Sequence, residues 1–146
     1  MVEIQYNIQQ EFRSKQEKYV YYIIAVSVSC IGFSVYKTEN TSLSLIQIPL
    51  ALSVLFWMLS VFFGLTFMKY VISGLYDNNS YIDIMNGKNP KTINLPNIEK
   101  ISTESYIKHL EKNNKIMSKY FRYQGISFYL GIILFLIWHI IEMYLK

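Results

Sequence analysis

Cysteine is almost absent from the 146 residues: Cys30 stands alone. A single thiol excludes a disulfide framework within the chain and a cysteine-rich metal site. Charge is scarce too, at 16% of residues, where an average soluble domain carries about 25%. A disordered chain needs high charge and few aromatics, and this chain has neither property. Catalytic motifs are also missing: there is no glycine-rich phosphate loop, no His-Glu-x-x-His and no Gly-x-Ser-x-Gly. The chain therefore reads as a non-enzyme with no cofactor, short enough for one domain.

What is present is apolar and arranged in blocks. Tyr19 to Tyr36 contains no charged residue, nor does Leu43 to Met68, and Tyr123 to Ile141 contains only His139 as a titratable group of variable charge. A bilayer core of ~30 Å is crossed by ~20 mostly apolar helical residues. Backbone groups in lipid must pair within their own segment, so each block is expected to be a helix. Pro49 suits the first turn of the second helix, where its missing N–H has no partner to lose. The alternative is a kink within a longer tilted helix. Tyrosines flank the blocks at 19, 21, 22, 36, 70, 120, 123 and 144, as in an aromatic belt at the membrane–water boundary. A buried soluble three-helix core would need polar helix faces that these blocks lack. The first block is not expected to be a cleaved signal peptide, because a mixed-charge stretch precedes it and no small-x-small cleavage pattern follows.

The expected fold is an all-α integral membrane protein with three transmembrane helices. Residues 1–18 form a cytosolic amphipathic helix, with Ile4, Ile8 and Phe12 on one side. It either lies on the inner membrane surface before turning into the first span or packs on a partner helix. The spans are 19–36, 49–68 and 123–145, joined by a short outer loop at 37–48 and a cytosolic loop and helix at 69–122. In that long segment Asn78-Asn79-Ser80 reads as a loop, and Asn86-Gly87 and Pro90 read as turn chemistry. Asn97 is a helix cap after Pro96. From Ile98 a helix is expected to run without a break into the third span; Gly125 is its weakest point. The part from Thr103 to Tyr144 alone would be ~63 Å long.

Basic charge sets the orientation. Of the 14 Lys and Arg residues, Arg13, Lys15 and Lys18 precede the first span. Lys69, Lys88, Lys91, Lys100, Lys108, Lys112, Lys115, Lys119 and Arg122 lie between the second and third. Only Lys37 and Lys146 remain for the other side. The positive-inside rule places the N-terminus inside and the C-terminus outside. The net charge of +4 is thus a topology signal ahead of a nucleic-acid signal, and nucleic acid is the less favoured partner.

Three sets of residues are candidates for function. Small residues recur at helical spacing on each span: Ala25, Ser29 and Gly32; Ser53, Ser60 and Gly64; Ser127 and Gly131. They let helix backbones approach closely, either within one chain or between copies. In the second case Ser27, Ser34, Ser53, Ser60 and Thr66 would line a wet path. Ile107, Leu110, Asn114, Met117 and Phe121 follow a 3-4-3-4 spacing, a coiled-coil-like oligomer seam with one polar position. Its cover is either the N-terminal helix or a second copy. His139 and Glu142 stand one turn apart near the outer end of the third span, as an intramembrane polar pair. Haem held between two histidines would need a second membrane histidine from a partner, because His109 falls in the cytosolic segment.

From Val2 to Ile84 the order is amphipathic helix, tight membrane hairpin and basic cytosolic helical region. This architecture resembles the small membrane effectors of bacterial antiphage systems, such as the two-span SLATT family; the third span is an addition to it. Abundant Ile, Lys, Asn and Tyr fit an AT-rich bacterial genome. The resemblance implies a homo-oligomer in the bacterial inner membrane, in contact with lipid. It would perturb the membrane as a channel-like effector when a cytosolic sensor or regulatory protein signals. The alternative is a non-enzymatic anchor or assembly subunit of a larger membrane complex.

Overall fold

The structure, a computed structural model, describes residues 2–39, 44–86 and 98–145, with side chains from residue 11 and, in the last segment, from residue 100. Three α-helices make up almost all of it: α1, Val2–Thr38; α2, Ile48–Met85; and α3, Ile98–Tyr144. A short 3₁₀ turn at Leu45–Gln47 leads into α2. There is no strand among the described residues. Each helix contains a stretch long and apolar enough to cross a membrane. The side chains of Ile4 and Ile8, the Asn97 cap, the Gly87–Pro90 and Pro96 turns, and Lys88, Lys91 and Lys146 lie outside the described residues.

The helices differ in extent from the sequence expectation. The N-terminal helix does not turn at residue 18: α1 is one helix of 37 residues. No Gly or Pro occurs between Val2 and Ile31, so nothing in that stretch breaks the hydrogen-bond ladder. Helix α2 does not stop at Met68 but continues through Gly74 and the expected loop at Asn78-Asn79-Ser80 to Met85. A helical Gly costs only about 1 kcal/mol. Asn78 also uses its side chain to accept a bond from Tyr106 instead of capping its own backbone. Pro49 is the second residue of α2, inside the first turn, where its missing donor is harmless. Helix α3 passes Gly125 unbroken for 47 residues.

The chain divides into two compact units, Met1–Leu65 with Phe121–Lys146, and Thr66–Tyr120. In the first, the three helices meet over Val20, Ile23, Leu50, Trp57 and Trp138, together with a buried polar set of Ser27, Ser34, Ser53, Ser60, Gln124 and Ser127. Its outer surface carries Val26, Val28, Phe33, Leu55, Leu59, Phe62, Ile133, Ile137 and Ile140, all exposed. Five serines and Gln124 are thus buried, while many of the unit's large aliphatic side chains are exposed. The second unit is a helical hairpin of the end of α2 and the start of α3. Phe67, Val71 and Met117 are its buried apolar residues.

Candidate functional site: helix-packing faces and the polar hairpin

Two of the three small-residue stripes are consumed inside the first unit. Ser53, Ser60 and Gly64 are buried on α2, and Ser127 and Gly131 on α3. A Cβ added at Gly131 would stand 2.5 Å from Nε1 and 2.6 Å from Cδ1 of Trp57. At Gly64 it would stand 2.5 Å from Gln124 Nε2 and 2.9 Å from two carbons of Ile24. The glycines are therefore contact points at which one helix takes a large side chain of another.

The third stripe points the other way. Ala25, Ser29 and Gly32 are exposed on α1, and a Cβ at Gly32 would meet nothing within 4 Å. The face of α1 that packs inward is Val20, Ile23, Ser27 and Ser34. Beside the outward stripe, Ala25, Ser29, Cys30 and Phe33 of α1 line an open apolar groove of about 470 Å³ with Trp57 and Phe135.

The buried serines are packing groups. Ser34 Oγ donates to Cys30 O at 2.8 Å and Ser53 Oγ to Leu50 O at 2.7 Å, both within their own helices. Ser60 Oγ donates across to Gln124 O at 3.1 Å, and Gln124 Nε2 donates to Val20 O at 3.3 Å. Gln124 thereby joins all three helices at one level. Ser27 Oγ, Trp57 Nε1 and Gln124 Oε1 are buried without a protein partner. Gln124 and Trp57 were not among the residues singled out from sequence. Trp57 had a signal: it stands mid-block, whereas tryptophans concentrate at the ends of spans.

The seam expected on α3 is split. Met117 is buried, and Phe121 packs against Tyr19 with ring centroids 5.7 Å apart. Ile107, Leu110 and Asn114 are exposed. The face of α3 that pairs with α2 in the hairpin is instead polar and aromatic. Tyr106 stacks on Tyr81 at 4.4 Å and 11°, and Tyr120 on Tyr70 at 6.0 Å and 16°. Tyr106 Oη donates to Asn78 Oδ1 at 2.9 Å, Asn113 Nδ2 to Asp77 Oδ2 at 3.3 Å, and the hydroxyls of Tyr81 and Thr103 lie 3.2 Å apart. Tyr106→Phe keeps the stack and removes the Asn78 bond. About 1 kcal/mol of local stability is expected to go, read as about fivefold faster amide exchange in residues 74–85; unchanged exchange would show that the bond contributes nothing.

His139 is exposed, with its ring parallel to that of Phe135 at 6.5 Å and 1°. Glu142 is half-buried. Among the described residues no group of three or more His, Cys, Asp or Glu could hold a metal ion. No protein family, curated protein or solved structure matches the chain.

Proposed function

We propose that the chain is a multi-pass protein of the bacterial inner membrane, N-terminus inside, that assembles with copies of itself and perturbs the membrane as an effector. Its cytosolic hairpin receives the controlling signal from a sensor or regulatory protein, and antiphage defence is the setting its architecture suggests. Insertion is supported by the first unit, which exposes many large aliphatic side chains while burying Ser27, Ser34, Ser53, Ser60, Ser127 and Gln124. A water-exposed apolar surface of that extent would drive aggregation; in lipid it is the solvated surface.

The observation that carries self-assembly is the outward stripe on α1. Small residues at i, i+4 and i+7 with nothing packed over Gly32 leave a backbone open to close approach by another helix, next to a groove that accepts its side chains. Ser27, Ser34, Ser53 and Ser60 are buried within the protomer, so a water path through an effector of this kind would form between protomers and not through one.

Gly32→Leu tests this reading. The protomer has room for the side chain, so its thermal stability in detergent is expected to hold. The oligomer is expected to fall to monomer on size-exclusion chromatography with light scattering. Membrane depolarisation on induction with the triggering partner is expected to disappear. A Gly32→Leu protein with the wild-type mass and the wild-type effect on membrane potential would defeat the proposal. Stoichiometric co-purification of larger subunits with a monomeric chain would move the assignment to an anchor subunit.

A further inference from the structure

Helix α2 carries a second seam, which none of the readings above uses. Ile72, Leu75, Asn79 and Ile82 follow a 3-4-3 spacing, which places them in the a and d positions of two heptads. All four are exposed, Ile72 at 65%, Leu75 at 59% and Ile82 at 43%. The face of α2 turned to α3 carries Tyr70, Asp77, Asn78 and Tyr81 with Phe67 and Val71 buried among them, and the seam lies to one side of it, Asn78 standing one turn from both Leu75 and Ile82. The hairpin is thus closed by polar and aromatic groups around buried Val71 and Met117, and Ile72, Leu75 and Ile82 are left facing outward. We propose that this face of α2 is a parallel two-stranded coiled-coil seam that takes the same face of a second copy of the chain.

Three features select a second copy as the occupant. An asparagine at an a position is best satisfied by the same asparagine across a parallel two-stranded axis, where each side chain supplies both donor and acceptor. Asn79 meets that condition only opposite its own copy in register. Availability then selects the helix. On α3 the corresponding positions are Ile107, Leu110, Asn114 and Met117, and Met117 is buried in the hairpin, so that seam is interrupted, whereas all four positions on α2 are exposed. The a and d positions of the α2 seam carry no charge. Length is the third consideration. Two heptads are marginal for helices associating from free solution, but spans inserted alike in one bilayer hold two copies parallel and raise their effective concentration. The inference therefore rests on the self-assembling membrane protein proposed above and adds a contact outside the span stripe.

Single cysteines test it in the 146-residue chain in native membranes, in a Cys30→Ser background that removes its one cysteine. Equivalent seam positions across a parallel axis come within the Cα separation of about 5.5–6 Å that a disulfide needs. Mild oxidation is expected to convert Ile72→Cys and Asn79→Cys to dimers on a non-reducing gel, while Lys112→Cys stays monomeric. Equal dimer yields at 72, 79 and 112, or none at 72 and 79, would overturn the seam. Gly32→Cys separates the two claims. Dimer at 32 without dimer at 72 and 79 keeps self-assembly and rejects the seam. Dimer at 72 and 79 without dimer at 32 keeps the seam and rejects the span stripe. No dimer at any of the three positions rejects both.

Discussion

Gly131→Leu is expected to unfold the three-helix unit, although glycine is the poorest helix former after proline. An alanine at an open helical position would gain up to about 1 kcal/mol over glycine, and that is the expected sign at Gly74, where an added Cβ meets nothing within 4 Å. At Gly131 the sign reverses. The first added carbon already overlaps Trp57 Nε1 and Cδ1 and lies 3.1 Å from Cε2. The indole is a rigid plane, 2% exposed, and it packs on Phe135 at 5.7 Å, so relieving the overlap requires the whole ring and its packing partner to shift. Overpacking of a close-packed interior costs about 1–3 kcal/mol for small additions. Alanine should fall in that range, and leucine should exceed it. The measurement is thermal denaturation of the purified protein in detergent, with limited proteolysis as a second probe. Pairing Gly131→Ala with Trp57→Phe should recover part of the loss, because the shared contact makes the two changes non-additive. A Gly131→Leu protein that melts like the parent would remove the close approach of α3 to Trp57 from the description of the core.

Trp57→Ala is the second large effect, expected to cost about 3 kcal/mol or more by leaving a cavity at the meeting point of α2 and α3. The physical term differs from that of a water-soluble core. In the membrane-inserted protein proposed above, lipid is as apolar as the side chain, so little transfer energy is lost; what disappears is dispersion contact with Phe135 and Gly131. Trp57→Phe keeps most of that contact and deletes an indole N–H that is buried without a protein partner. It should cost less than the alanine change, because the smaller ring leaves a smaller cavity. Comparable losses for alanine and phenylalanine would mean that the N–H, and not the packing, holds the site.

These two residues also mark how far the sequence reaches. The three uncharged blocks, the early position of Pro49 in α2 and the uninterrupted run from Ile98 to Tyr144 are legible because they depend on local composition and on the absence of breakers. The continuation of α2 through Asn78-Asn79-Ser80 is not. Isolated asparagines favour turns, and only Tyr106 and Asp77 with Asn113, some 28 and 36 residues apart in sequence, show why these polar side chains are held within a helical hairpin. Likewise the stripe at Ala25, Ser29 and Gly32 and the one at Ser127 and Gly131 look equivalent as sequence, yet the first faces out and the second receives an indole.

The chain by itself determines that there are three long apolar helices and that most of the basic charge falls before the first apolar block and between the second and third, because length, composition and charge placement are properties of single segments. It does not determine which side of each helix is the inside. A span that is apolar all round carries no polar face to mark its orientation, so rotation about the helix axis is set by the fit between helices. That fit puts Trp57 on Gly131 and Gln124 against Val20, Ser60 and Gly64, and it leaves Gly32 and the Ile72–Ile82 seam facing outward.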